Sequence, residues 1–152
     1  MGKYAFTGDR FEHWSGVILR RICALRDIPP HGVQAGDLGG WVESDSNLSQ
    51  DGDAWIGGDA WIYGNSRIYG DALIDGDARV YGDSRISGNA RVYGNARVYG
   101  NARVYDNARV YGDALIYGDA LIYGYALIYG DALIGGNARA YGDAEIDGGN
   151  AR

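Results

Sequence analysis

From Ala54 onward, small or apolar residues alternate with large or polar ones in a six-residue frame that runs without insertion to Gly149. Each unit reads Ala, then Arg, Leu or Trp, then Ile or Val, then usually Tyr, then Gly with Asn or Asp; "YGNARVYGNARVYDNARVYG" (Tyr93 to Gly112) shows the phrase almost unvaried. A period of six excludes an α-helix, whose apolar positions recur every 3.6 residues, and a glycine in nearly every unit would cost a helix roughly 1 kcal/mol each. Strands remain. In a strand Ala96 and Val98 share one face while Arg97 and Tyr99 share the other. Gly-Asn or Gly-Asp then turns the chain, because glycine tolerates positive φ and Asn or Asp can bond its own backbone.

Gly-Asn is also a hairpin signal, but in an antiparallel meander Tyr99 would pair beside Ala102, and each face would mix aromatic with small residues. A solenoid keeps every Ala and Val inward. Three four-residue strands with a turn after each give a triangular coil of 18 residues, each strand lying parallel and roughly 4.8 Å above its equivalent in the previous coil. The sixteen units make a little over five coils. Residues 1–40 break the frame and are expected to form an N-terminal β cap, with Gly16 to Ile28 ("GVILRRICALRDI") as the strand that covers the first coil; residues 41–152 form the solenoid, in strict frame from 54. At the other end "GGNAR" stops in mid-phrase, which leaves an edge open for pairing.

The frame resembles the hexapeptide-repeat left-handed β-helix. More narrowly, "AGDLGGWVES" (Ala35 to Ser44), "NLSQDGDAWI" (Asn47 to Ile56) and the coils after them resemble the YdcK-like proteins and short prophage-encoded relatives, single-chain β-helices of the trimeric LpxA-like group. That resemblance, and not the periodicity, implies the left hand. It also implies an enzyme to be weighed, a CoA-dependent acyltransferase binding acetyl-CoA between subunits with a histidine as general base. The only histidines, His13 and His31, precede the solenoid, and no coil carries a loop insertion to wall a substrate pocket. His13, beside Glu12, is the only candidate base.

Stacking residues 18 apart sorts the outward positions into three columns. The first reads Trp61, Arg79, Arg97, Leu115, Leu133 beside Tyr63, Tyr81, Tyr99, Tyr117; the second Trp55, Leu73, Arg91, Arg109, Leu127, Glu145 beside Tyr93, Tyr111, Tyr129; the third Arg67, Arg85, Arg103, Leu121, Arg139 beside Tyr69, Ser87, Tyr105, Tyr123, Tyr141. Arg79, Tyr81, Arg97, Tyr99, Arg103 and Tyr105 are thus candidates for an aromatic and cationic platform that binds a glycan or a protein. Leu115, Tyr117, Leu121, Tyr123, Tyr125, Leu127, Tyr129 and Leu133 ring the fourth and fifth coils, an apolar band that suits self-association into a homo-oligomer.

Net charge is −6, divided as +1 over residues 1–40 and −7 over the remainder. Arginines interrupt the negative surface, so DNA mimicry is disfavoured, and the aspartates at the corners weigh against nucleic-acid binding. Those aspartates are explained by turn chemistry, and without the glycine-rich nine-residue calcium signature no metal site is expected. Cys23 is the single cysteine, which rules out an internal disulfide. There is no phosphate-cradling or nucleophile-elbow motif, and no membrane span or signal core, so a cytoplasmic location is expected. The reading is therefore a non-catalytic scaffold or binding module without a cofactor. Its alternatives are the acyltransferase and a phage-derived inhibitor or recognition protein acting on a host macromolecule.

Overall fold

The computed structural model describes residues 2–148, an all-β fold with short 3-10 turns at Pro29–His31 and Asp45–Asn47. Its body is a parallel β-solenoid of about six turns. On the first face Leu38–Val42, Trp61–Ile62, Arg79–Val80, Arg97–Val98, Leu115–Ile116 and Leu133–Ile134 stack in sequence order. The second face stacks Trp55–Ile56, Leu73–Ile74, Arg91–Val92, Arg109–Val110, Leu127–Tyr129 and Glu145–Asp147; the third stacks Arg67–Ile68, Arg85–Ile86, Arg103–Val104, Leu121–Ile122 and Arg139–Ala140. Every pair among these strands is parallel and in register, as in Arg97 with Arg79 and Leu115. The three outward columns read from the sequence are the ones observed. No described helix is long and apolar enough to cross a membrane.

The interior is the alternation made solid. Ala and Ile or Val alternate inward and are fully buried from Ala54 to Ile128, apart from two positions where serine replaces alanine. Those serines, Ser66 and Ser84, keep their hydroxyls satisfied by donating to the carbonyls of Tyr63 (2.8 Å) and Tyr81 (2.9 Å). A slot only wide enough for alanine thereby accepts one polar atom.

Glycine at the corner has a stricter cause. Gly100 has φ +70°, and a Cβ there would lie 2.8 Å from the backbone nitrogen of Gly118 in the next coil, so both conformation and space exclude a side chain. Asp106 is the one described non-glycine at positive φ (58°). It takes the same corner position, and its Oδ2 accepts the N–H of Gly124 at 3.1 Å, a bond that offsets part of its strain.

The coils begin earlier than the strict frame. Trp41 pairs with Trp61 and Leu48 bridges to Ile68, both 20 apart, whereas Trp55 pairs with Leu73 at 18. Two extra residues in the corner between Leu48 and Trp55 carry the difference, so a further coil precedes the frame and the count rises from a little over five to about six. Asn47 secures that irregular coil. Fully buried, it accepts the N–H groups of Glu43 and Ser44 and donates to the carbonyls of Gly64 and Ser66.

The cap is a hairpin. β1 (Tyr4–Glu12) pairs antiparallel with β2 (Ile18–Ala24), and β2 pairs antiparallel with β3 (Leu38–Val42), the first strand of the first face. The expected capping strand is therefore present, ending at Ala24 rather than Ile28. The hairpin covers only one face, and side chains close the remainder: Lys3 Nζ donates to the Ala54 carbonyl at 2.5 Å, and Arg26 to that of Gly52 at 2.7 Å. The Gln50 amide plays the part of a backbone, its Oε1 accepting from Lys3 and Tyr4 and its Nε2 donating to the Tyr4 carbonyl. Residues 149–152, which hold the end of the frame and most of "GGNAR", lie outside the described residues.

Two outcomes follow for stability. Gly100→Ala is expected to cost roughly 1–3 kcal/mol in urea unfolding, through its φ and the contact with Gly118, while Asp106→Gly, which trades strain against one hydrogen bond, stays within about 1 kcal/mol of wild type. Burial, reinforced by Arg26 and opposed by Asp53, Asp51 and Asp71, lowers the Lys3 ammonium from its usual 10.5 to about 8. Between these values the unfolded chain binds the proton that the folded chain has released, so stability attributable to Lys3 rises with pH across that window. Unfolding midpoints at pH 7 and 9.5 should rise for wild type relative to Lys3→Met; equal pH responses would remove Lys3 as the source.

Candidate functional site

The Arg/Tyr surface is three ladders, and how the rungs are set decides what each can bind. On the first face Tyr63, Tyr81, Tyr99 and Tyr117 stack with centroids 5.0, 5.0 and 5.6 Å apart, the first three almost parallel (4° and 2°). The second face repeats this for Tyr93, Tyr111 and Tyr129, and the third for Tyr105, Tyr123 and Tyr141. Parallel pairing places like residues one above another, and the rings take up the strand spacing. Each ring covers its neighbour's π face, so interior rungs offer solvent only edges and hydroxyls. Of the platform candidates, Arg79, Tyr81, Arg97 and Tyr99 share the first face, while Arg103 and Tyr105 lie on the third.

Burial is the main reason the Tyr63 and Tyr81 hydroxyls are pushed up from their usual range, followed by the adjacent tyrosine; Arg79 and Arg97 pull the other way. Tyr105 and Tyr111 shift in the same direction, again chiefly by burial. At neutral pH these four hydroxyls are therefore uncharged.

The apolar band is distributed by the same geometry. Leu115 and Leu133 are neighbours on the first face, with Tyr117; Leu121 and Tyr123 lie on the third and Leu127 and Tyr129 on the second. Leu121 stands between Arg103 and Arg139, and Leu127 between Arg109 and Glu145. Tyr125 projects from a corner, 64% exposed. No face thus brings more than two of the four leucines together.

His13 is not on the open surface. It is buried, with ring contacts to Trp14 (5.0 Å), Trp61 (5.3 Å) and Tyr63 (5.4 Å), and it lies tilted by 37° against the first ring of the Tyr63 column. The Ser15 N–H donates to its Nδ1 at 3.2 Å, and the Ser15 hydroxyl lies 2.7 Å from the same atom. That nitrogen is thereby engaged as an acceptor. His31 is elsewhere, its Nε2 3.0 Å from the Asp71 carbonyl, and burial lowers its pKa from the usual value.

Where the cap hairpin meets the first face, a shallow cavity of about 550 Å³ is lined by His13, Trp14, Ser15, Trp61, Tyr63, Arg79, Tyr81 and Arg97. Each wall has a local cause. The hairpin turn His13 to Gly16, closed by the His13 N–H to Val17 carbonyl bond, throws Trp14 outward until it is 91% exposed. Phe11, 4.9 Å from Trp41 and 5.3 Å from Trp61, wedges the hairpin against the coil. The Arg79 guanidinium lies 3.6 Å from the Trp61 ring centroid, a cation-π contact that holds it flat along the wall. The lining contains two guanidinium groups and no carboxylate, in a chain of net charge −6. Sequence reading placed Trp61 and Tyr63 in their column but passed over Trp14; its signal is a tryptophan one residue from a Ser-Gly turn, where no core can reach it.

Among the described residues no group of three or more His, Cys, Asp or Glu side chains is arranged to hold a metal ion. The matched family model is described as the YdcK Beta solenoid repeat; it matches residues 84–100, 90–105, 96–112 and 102–118, each span starting six residues after the last. No curated protein matches the chain in sequence. The spans coincide with the most regular Arg/Tyr coils: the chain is a β-solenoid repeat protein whose residues 84–118 are similar to the YdcK repeat.

Proposed function

We propose that the chain is a non-catalytic binding module that takes an acidic sugar unit of a glycan in the trough between the cap hairpin and the first face. The observation that carries this reading is Trp14, the most exposed large apolar side chain among the described residues, standing beside two arginines. A tryptophan left in water sacrifices the burial of one of the largest apolar side chains. Set over a cavity, it offers what the interior rungs of the ladders lack, a free π face against which a pyranose ring can lie. Arg79 and Arg97 supply forks that match a carboxylate, and the Ser15 and tyrosine hydroxyls supply partners for sugar hydroxyls. The trough is built mostly on paired strands, and a rigid site loses little entropy on binding.

A second reading, self-association, is supported by Leu133, 63% exposed beside Leu115. Because Leu121 stands alone on its face, Leu133→Asp is the informative substitution. It should lower the native mass in solution to that of a monomer, and an unchanged mass would point away from the first face.

For the main reading, calorimetric titration with a glucuronate-bearing disaccharide is expected to give saturable binding, with the neutral disaccharide of the same linkage at least about tenfold weaker. Trp14→Ala and Arg97→Leu should each weaken binding by about tenfold or more without lowering the thermal midpoint, since neither side chain is buried. Equal heats for the two sugars, or a Trp14→Ala chain that binds as wild type does, would overturn the assignment.

A further inference from the structure

The third face carries a feature that the trough does not use. In-register pairing sets Arg67 against Arg85 and Arg85 against Arg103, and all three are exposed. Like charges directly opposite on neighbouring strands, roughly 4.8 Å apart, destabilise a sheet. No carboxylate relieves them: the ion pairs among the described residues are Arg21 with Asp59 and Arg26 with Asp53, on other parts of the surface. Asp45 lies near the head of the row, but its carboxylate turns toward the Tyr4 hydroxyl, 3.4 Å away.

The fold itself does not require arginine at this position. Leu121 occupies the next rung of the same column, between Arg103 and Arg139, with the same parallel pairing. Three consecutive guanidinium groups therefore stand where a neutral side chain fits, at a cost to the isolated protein. Beside them the tyrosine stack is interrupted by Ser87, and a hollow of about 400 Å³ opens against Arg67, Tyr69 and Arg85.

We propose that Arg67, Arg85 and Arg103 form a track for a linear acidic polysaccharide lying along the solenoid axis, one carboxylate to each guanidinium. A bound carboxylate between successive arginines turns their repulsion into charge-assisted hydrogen bonds, which the planar fork makes bidentate. A slender uronate chain fits a row one residue wide. Single-stranded nucleic acid is less suited, because its bases need a run of free aromatic faces, and this column is broken at Ser87 and covered below Tyr105 by Tyr123 at 5.0 Å. The track lies on a different face from the Trp14 trough and does not depend on it.

The test uses the full chain carrying Trp14→Ala and Arg97→Leu, so that the trough's contribution is cut at both of its anchors. Polygalacturonate should bind this chain with an affinity that falls as salt rises. Adding Arg85→Leu should weaken binding by at least about tenfold, and Arg85→Lys by less, since a point charge replaces the fork. Without ligand, Arg85→Leu should melt at a higher temperature than its parent, which also shows that it folds. Unchanged binding on adding Arg85→Leu would overturn the track, and single-stranded DNA of equal charge binding as tightly as polygalacturonate would overturn the polysaccharide as its occupant.

Discussion

Each coil hangs from the one after it by backbone hydrogen bonds that repeat at every corner: Asp77 N–H to the Gly94 carbonyl (2.8 Å), Asn95 to Gly112 (2.8 Å), Asp113 to Gly130 (2.9 Å). This contact fixes the 18-residue register. The strand between two corners adds only two more such bonds, as in Arg97 N–H to the Ala114 carbonyl (3.0 Å) and Tyr99 N–H to that of Ile116 (2.9 Å), so a corner that failed to superpose would break the ladders on both flanking faces. Positive φ and close backbone approach are the conditions under which corners superpose, which is why glycine recurs there, with Asp106 as the exception, while the residue after it is Asn, Asp or, at position 125, Tyr.

Register, once fixed, dictates surface chemistry as well as the core. Any residue type kept in one slot becomes a column of itself. Alanine and valine columns make a dry interior, and tyrosine columns gain offset stacking. Arginine columns gain nothing from one another, so a contiguous run of them is the least self-sufficient element of the surface. A repeat protein of this kind can vary its function by choosing which columns to leave unsatisfied, because the coil tolerates leucine, tryptophan, arginine or glutamate in the same outward slot.

The sequence made the solenoid body legible almost completely, because a six-residue period with inward Ala and Val admits no other placement of the apolar side chains. The first coil was less visible. Its two extra residues before Trp55 break the frame, and its coherence depends on Asn47 and Gln50, whose amides stand in for backbone groups. Asparagine and glutamine in a polar stretch look like loop residues, and only the fold shows that one of them is fully buried. The columns of the candidate site were readable for the same reason as the core. Trp14 was not, since no periodicity reaches the cap hairpin and its importance comes from where the turn aims it.

The cap and the ladder are joined through one cluster of rings. Phe11 rests on Trp41 and Trp61, and His13 lies tilted against Tyr63, the first ring of the tyrosine column. A hairpin that only covered backbone edges could meet the coil with any apolar side chain. By setting an imidazole against the column and then aiming Trp14 past it, the hairpin instead ends the cluster in a free indole, at the place where Arg79 is held flat against Trp61. The covered edge and the exposed aromatic are thus produced by the same hairpin turn, so a change that reseats the hairpin would alter end protection and trough shape together.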